Sequence, residues 1–470
     1  MSAPALTRPP VRGPRRKPVD GIPTEIIPSA TPLPEAAAHE RSDPYWDRLW
    51  AVGSTALWAT AEMTRARAGA GGKTDPRMLT TPEEAHEKLA DPRGRTDRHH
   101  LWAVLDSWRT VSAEQAAALT GRKALLNPYS AAVLPSFQTG VIDFGMYSNW
   151  ANPHPTTDRH TLYRPGTAGG FDTHVRDALT WPEWVTITGG YPWSGGGQYD
   201  RHNLLATELG LRAAEYLSVG TVLGEKLSTV DLLAGTGLGK SITTPDNRRA
   251  DGTIVRTDGL RIVFELTATA SPSFESKVRR WAQILRDRPL ESSGLVIVFI
   301  AAPHPDRSRH DTPDPVHDIR RTIVKVLREF PGTSPDSPAA RLGLAHWEDW
   351  FPAAREVSEQ FFSLTTSFPT GRGQGPDRWR STGLLTDYAF TPWTGFDATA
   401  VIENAAVLLA TPTWLRPPKD RTRMIGSPMS RSGRLVPVPA LTQPERAKGR
   451  RLGAGVGNAK DTRLPARLRV

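Results

Sequence analysis

Hydrophobic residues recur with changing period along the 470-residue chain, and each change marks an element. From Arg201 to Leu217, Leu205, Leu209, Ala213 and Tyr216 recur every three or four positions, which predicts an amphipathic helix with Glu208 and Glu215 on its flank. Thr253–Arg256 and Leu260–Leu266 are short runs rich in β-branched and aromatic residues. They are joined through Asp258-Gly259, a pair suited to a two-residue hairpin turn. Pro272 and Ser273 open a helix from Phe274 to about Asp287, with Phe274, Val278, Trp281 and Leu285 on one face. Val296–Ile300 is a continuous apolar run, the pattern of a strand covered on both sides. The unit is therefore hairpin, helix, buried strand. A helix over Val316–Phe330 and a strand over Ala340–Trp347 follow.

Upstream the pattern is denser in helix. His100–Trp108 reads as one helix, and Thr110–Gly121 holds a second, with Ser112 as its cap and Gln115 at the reciprocal position. Arg122–Leu126 and Ser130–Phe137 offer further helix; Gly140–Gly145 and His160–Gly166 read as a two-stranded wing. This is the layout of a winged helix-turn-helix over residues 98–170, able to set a helix in the major groove. Arg122 and Lys123 stand at the start of the candidate recognition segment. That segment is short of Arg, Asn and Gln for base readout, and a protein-binding or structural winged domain fits the same layout. Residues 43–97 read as a helical lead-in: a helix over Pro44–Arg67 carrying Trp46, Leu49, Trp50, Ala56 and Leu57, then a shorter one over Thr81–Leu89 capped by Thr81.

Composition changes the picture at the two ends. A 38% hydrophobic fraction with 42 Pro and 40 Gly predicts folded cores with disordered Pro-rich and basic tails, over residues 1–42 and 411–470. Residues 1–20 carry +4 and residues 411–470 carry +11 of a total of +10, which leaves −5 between them. Flexible basic arms of this kind suit a DNA phosphate backbone, though a merely solubilising role accounts for them as well. The chain has no cysteine, which excludes disulfides, thiolate zinc sites and cysteine nucleophiles and is compatible with a cytoplasmic location. No apolar run reaches the roughly 18 residues of a membrane span, so no membrane partner is expected.

Candidate chemistry gathers on the hairpin. Asp251 enters it and Glu265 ends its second strand. Two carboxylates on adjacent strands suit a hard cation such as Mg2+, which can activate water against a phosphodiester. The plainer alternative makes Asp251 a turn residue and Glu265 an edge charge. Ala234-Gly-Thr-Gly-Leu-Gly-Lys-Ser imitates a phosphate-binding loop, but Ala234 stands where the pattern needs glycine, and Ile242-Thr-Thr-Pro-Asp resists the helix that should follow. Lys240 within it could still touch nucleic-acid phosphate. The histidines, His202 among them, lack helical zinc spacing and read as surface residues.

Taken in order, these pieces resemble a known family. The wing ends in Gly140-Val-Ile and His160-Thr-Leu-Tyr-Arg-Pro-Gly. Arg201-His-Asn-Leu-Leu-Ala-Thr-Glu-Leu and Arg249-Ala-Asp-Gly-Thr-Ile-Val come next, then a strand ending in Glu265 and a helix bearing Lys277. Over about residues 98–350 this resembles the replication-relaxation proteins of actinobacterial plasmids and integrative elements. The resemblance implies an α/β (α+β) chain in which the winged helix is followed, over residues 171–368, by a mixed-sheet domain of restriction-endonuclease-like, PD-(D/E)xK, fold, with residues 369–410 as an extension. It implies that Asp251 and Glu265 hold magnesium, that Glu208 on the fold's first helix helps through a water, and that Lys277 stabilises charge developing on phosphate. The motif's own lysine position is Thr267 here, and some members of that superfamily carry the lysine on the next helix, as Lys277 would be. The expected function is DNA binding in replication or transfer of a mobile element, with a magnesium-dependent nuclease site or a degenerate one. A non-enzymatic interaction or regulatory protein using the nuclease fold as a scaffold is the alternative.

Overall fold

The computed structural model describes residues 33–47, 54–149, 161–167, 169–196, 200–230, 249–289, 291–304, 315–370, 378–391 and 400–416. It is a mixed α/β structure with two sheets. The first is antiparallel, in the order β1-β3-β4-β2, with β1 at Ser54–Ala59, β2 at Val111–Ser112, β3 at Ile142–Asn149 and β4 at Thr161–Pro165. Around it lie α1 (Ala61–Gly69), α2 (Pro82–Ala90), α3 (Arg95–Trp108), α4 (Ala113–Thr120) and the short α5 (Leu134–Gln138). Further along the chain come α6 (Gly170–His174), α7 (Trp181–Thr188) and the long α8 (Asp200–Tyr216).

The second sheet has seven strands: β5 (Val219–Gly224), β6 (Gly252–Arg256), β7 (Arg261–Thr267), β8 (Leu295–Ala301), β9 (Leu342–His346), β10 (Thr365–Pro369) and β11 (Trp379–Gly383). They lie side by side in chain order. The strands β5, β6 and β7 form an antiparallel meander, β7, β8 and β9 run parallel, and β10 and β11 return antiparallel. The parallel crossovers are made by α9 (Pro272–Asp287) and α10 (Pro315–Leu327), and α11 (Ala400–Ala406) comes last.

Side-chain alternation explains how the sheet is covered. Every residue of β8 is buried. Its Leu295, Ile297, Phe299 and Ala301 pack in one cluster with Phe274, Val278 and Trp281 of α9 and Ile319 and Ile323 of α10. Val296, Val298 and Ile300 point the other way, into a cluster that also holds Leu205 and Leu209 of α8 and Leu101, Leu105 and Trp108 of α3. That second cluster is continuous between the two sheets, so α8 is packed from both sides.

Charged groups bridge the same interface. Arg41 is fully buried and donates to Glu208 (3.0 and 3.1 Å) and to Glu215 (2.7 and 2.9 Å), both on α8. Arg212 lies one turn along from Glu208 and bonds it at 2.9 Å and Asp43 at 2.8 Å. Lys226, just past β5, is buried against Asp106 of α3 and also donates to the carbonyl of Pro192 (2.9 Å). Burial pulls the Lys226 ammonium down to about 8 and pushes the Asp106 carboxyl up.

Several expectations hold at residue level. The Ser112–Gln115 capping box closes α4, and Thr81 caps α2. The segments expected as helix over Arg201–Leu217 and Phe274–Asp287 are α8 and α9. Others need correction. The helix expected over Pro44–Arg67 is replaced, where described, by a turn to Asp47, the strand β1 and only then α1. β1 pairs residue for residue with β3, and that long-range ladder overrides the local helical stripe. Of the two further helical pieces expected, Arg122–Leu126 is a 3-10 turn at Lys123–Leu126, and Ser130–Phe137 is helical only in the five-residue α5. Residues 33–42, expected to be disordered, pack through buried Ala36, Ala37, Ala38 and Arg41. Residues 411–416, expected likewise, are held by a bond from Trp414 Nε1 to the carbonyl of Ala214 (3.0 Å). The strand β11 joins the second sheet beyond residue 368. The rest of both tails, residues 1–32 and 417–470, lies outside the described residues, as does the loop Ala234–Ser241 with Lys240.

Two stability predictions follow from this packing. Replacing Arg41 by Ala leaves Glu215 and part of Glu208 buried without their cation, and should cost about 3–5 kcal/mol in urea unfolding; a loss below about 1 kcal/mol would show that water reaches the network. His100 is 6% exposed, and burial lowers its pKa to about 4. The unfolded chain therefore binds this proton first, so stability should fall as pH drops from about 6.5 to about 4, by up to about 3 kcal/mol from this group. His100→Phe should make that decline shallower when unfolding midpoints are compared across pH.

Candidate functional site

Hairpin register brings the two carboxylates together. Gly252 pairs with Phe264 and Thr253 with Val263, so Asp251, one step before β6, lies across from Glu265. Residues directly opposite in an antiparallel pair are about 4.5–5.5 Å apart and share a face. The Leu266 amide donates to Asp251 Oδ2 at 2.7 Å, which fixes the aspartate beside the second strand. Gly252 is required between them, because a Cβ there would lie 2.2 Å from the Phe264 ring.

The helix α9 completes the arrangement. Lys277 and Trp281 are one turn apart and so share a face. Lys277 Nζ donates to Glu265 Oε2 (2.6 Å), and Trp281 Nε1 donates to Glu265 Oε1 (2.7 Å). The first turn of α8 adds His202, whose Nδ1 lies 3.6 Å from Asp251 Oδ2. Exposure is graded across the group: the Glu265 side chain is 1% exposed, Asp251 20%, Lys277 23% and His202 30%. A ligand would therefore meet Asp251, Lys277 and His202 first, with Glu265 behind them. Burial pushes the Asp251 carboxyl upward, but the Lys277 ammonium, the His202 ring and the Leu266 amide outweigh it and hold the carboxyl down at about 2. Nearby, Glu225 is raised by burial and feels both Asp251 and Arg249, whose Nη1 is 3.7 Å from its carboxylate.

The expected site residues divide between this corner and elsewhere. Asp251, Glu265 and Lys277 converge. Glu208 does not join them, which corrects the role expected for it. It is fully buried, with its oxygens taken by Arg41, Arg212 and Gln115 (3.2 Å). Burial raises its carboxyl, but the two guanidiniums hold it down at about 2. Six residues separate it from His202, about 9 Å along a helix axis, and that displacement carries it into the interface between the sheets. Thr267, two residues beyond Glu265, turns its hydroxyl to the carbonyl of Thr269 (2.9 Å). Arg122 faces Asp97 (3.5 Å) and Lys123 bonds Glu35 (2.5 Å), so both basic groups of the candidate recognition segment are opposite carboxylates. Lys240 lies outside the described residues. Sequence reasoning passed over His202 as a surface residue and Trp281 as core. Its one usable signal was that Trp281 stands one turn after Lys277.

No protein-family model, curated protein or solved structure matches the chain. The geometry therefore has to carry any functional reading. Among the described residues, no three His, Asp or Glu side chains are grouped to hold a metal ion, and no helix is long and apolar enough to cross a membrane. Magnesium takes one or two carboxylates from protein and fills its octahedron with water and phosphate; here both oxygens of Glu265 are already engaged, by Lys277 and Trp281.

The Trp281–Glu265 bond is directly testable. Trp281→Phe should cost about 1.5–3 kcal/mol, the worth of a hydrogen bond to a buried charge. In a double-mutant cycle with Glu265→Gln, read by urea unfolding, the coupling should exceed about 0.5 kcal/mol. Zero coupling would remove Trp281 as the group that orients Glu265.

Proposed function

We propose that this chain is a cytoplasmic DNA-binding protein of replication or transfer in a plasmid or integrative element, similar to the replication-relaxation proteins. In this reading the first sheet with α3, α4 and α5 acts as a winged helix-turn-helix. The second sheet with α8 and α9 acts as a PD-(D/E)xK-like, restriction-endonuclease-like domain. The observation that carries the reading is the convergence of Asp251, Glu265 and Lys277 on one corner of a mixed sheet. The order α8, antiparallel meander, α9, parallel β8 around that corner supports it too. So does the pairing of β2 with β4 beside β3, the order expected of a wing returning to the strand between its helices.

The roles follow from position. Asp251 and Glu265 would hold magnesium, and Lys277 would turn its ammonium toward charge gathering on a phosphate oxygen. His202 stands at the exposed rim, where it could hydrogen-bond the same phosphate. Bound magnesium would polarise the phosphodiester and activate water. The scaffold alternative also has an observation in its favour: both Glu265 oxygens are engaged by Lys277 and Trp281, and Thr267 takes the position of the motif's lysine.

Supercoiled plasmid incubated with the full chain and magnesium separates these readings. The nuclease reading expects nicking or linearisation that falls by more than about a hundredfold in Asp251→Ala. Equal cleavage by both proteins, or none while DNA is still retained in a gel shift, selects the scaffold. Retention itself should weaken steeply with salt and more gently after removal of residues 417–470. Absence of retention at low salt would end the DNA-binding reading altogether.

A further inference from the structure

We propose that α9 guides a DNA backbone out of the corner, with Arg280 binding the phosphate next to the one that Lys277 faces. The inference rests on the DNA-binding reading, and adds to it a second phosphate contact and a direction for the strand.

Helical spacing makes the track. Ser273, Lys277 and Arg280 stand at i, i+4 and i+7 of α9, so they form one stripe. Ser273 and Arg280 are exposed, and Lys277 between them is the residue whose ammonium meets Glu265 at 2.6 Å. A hydroxyl, an ammonium and a guanidinium are all phosphate donors. The stripe stops after Arg280. Ile284 and Asp287 come next at the same spacing; the first is 4% exposed, and the second is an anion bound to Arg286 (2.6 Å). The track therefore reaches one phosphate beyond the corner.

The charge balance separates Arg280 from an ordinary solvated cation. Residues 272–288 and 315–329, which hold α9 and α10, carry nine Lys/Arg and four Asp/Glu, or +5, and leave −10 for the rest of residues 21–410. All four carboxylates are used inside this layer. Arg279 (2.9 Å) and Lys325 (2.7 Å) take Glu275, Arg279 also takes Glu329 (2.7 Å), Arg286 takes Asp287, and Arg321 takes Asp318 (2.9 Å). The bonds of Arg279 and Lys325 also tie α9 to α10 and hold the stripe in place. Lys277 is answered by Glu265, whereas Arg280 faces no carboxylate among the described residues. Like charges one turn apart destabilise a helix, so Lys277 and Arg280 together favour an anion lying against both. A DNA strand presents phosphates at regular intervals, and the acidic remainder of the body turns it toward this layer.

Gel shifts of the full chain with a duplex oligonucleotide, run across a salt series, test this. Arg280→Ala should weaken retention about tenfold at fixed salt. It should also reduce the steepness of log affinity against log salt by about 0.9, the share of one phosphate. Lys88→Ala on α2 is the charge-matched control, because Glu83, Glu84 and Glu87 already repel a polyanion there; it should change neither quantity. The chain has no cysteine, so Ser273→Cys places a single thiol on the stripe and keeps both cations. Duplex should slow its alkylation by a maleimide and leave that of Lys88→Cys unchanged. Failure of the parent to be retained at low salt ends the DNA-binding reading and this inference with it. Three results overturn this inference alone: a retained parent with the same salt dependence as Arg280→Ala, an equal loss in Lys88→Ala, or alkylation of Ser273→Cys that DNA does not slow. Thermal unfolding midpoints matching the parent's establish that the variants are folded.

Discussion

Burial of α8 between two sheets depends on compensating the charges it carries inward. Glu208, Arg212 and Glu215 are all in the interior, which would be prohibitive for isolated charges. The segment at residues 41–43 supplies what is missing: Arg41 bridges Glu208 and Glu215, and Asp43 takes Arg212. The network reaches further, through Gln115 of α4, the backbone amide of Arg355 at Asp43 (3.3 Å), and the Phe351 ring 4.5 Å from the Arg212 guanidinium. A chain segment distant in sequence thus decides whether α8 can be buried at all. With the interior of the helix locked, its first turn is locked as well. Asp200 accepts from Trp58 of β1 (2.8 Å) and Thr110 (2.6 Å), and His202 two residues on comes to rest against Asp251.

The corner at Asp251 follows from strand alternation once the register is set. Glu265 lies on the same side of β7 as Val263, the side covered by α9, and Ile262, Phe264 and Leu266 face α8. A carboxylate aimed into a helix-covered face must be satisfied there, and Lys277 and Trp281 do this from successive turns. The site is therefore built by the meander and α9, with α8 contributing from its end and not from its middle.

What the sequence made legible were features of local period: the hairpin at Asp258-Gly259, the stripe of α9, the continuous apolar run of β8 and the capping box of α4. The pairing of Asp251 with Glu265 was not, because the two-residue turn expected at Asp258-Gly259 would set Asp251 opposite Leu266; the turn is a three-residue loop, Thr257–Gly259, with Arg256 opposite Leu260, and it shifts the register by one. Long-range satisfaction was not legible either. Nothing near Arg41 in the chain indicates two carboxylates more than 160 positions away, so Pro-rich composition alone suggested disorder there. Glu208 misled in the same manner: an acidic residue on the right helix looks alike whether it serves a site or balances a buried guanidinium. β1 was hidden because an edge strand of six residues carries too few alternations to outvote an apolar stripe.

The position of Lys277 bears on why Thr267 can stand two residues after Glu265. Side chains two apart on a strand share a face, so a lysine at 267 would approach the carboxylates from within the sheet. Here that position lies at the strand's last residue, and its hydroxyl closes a local turn onto Thr269. An ammonium from α9 instead arrives from above the sheet, and reaches Glu265 without competing with the Leu266 amide for Asp251. Lys277 is 23% exposed whereas Glu265 is 1% exposed, so the cation is the accessible partner of that pair and the carboxylate the buried one. Trp281 reinforces the distinction by holding the other oxygen of Glu265 from the core. The corner therefore presents an accessible ammonium backed by a carboxylate whose second oxygen is held from the core.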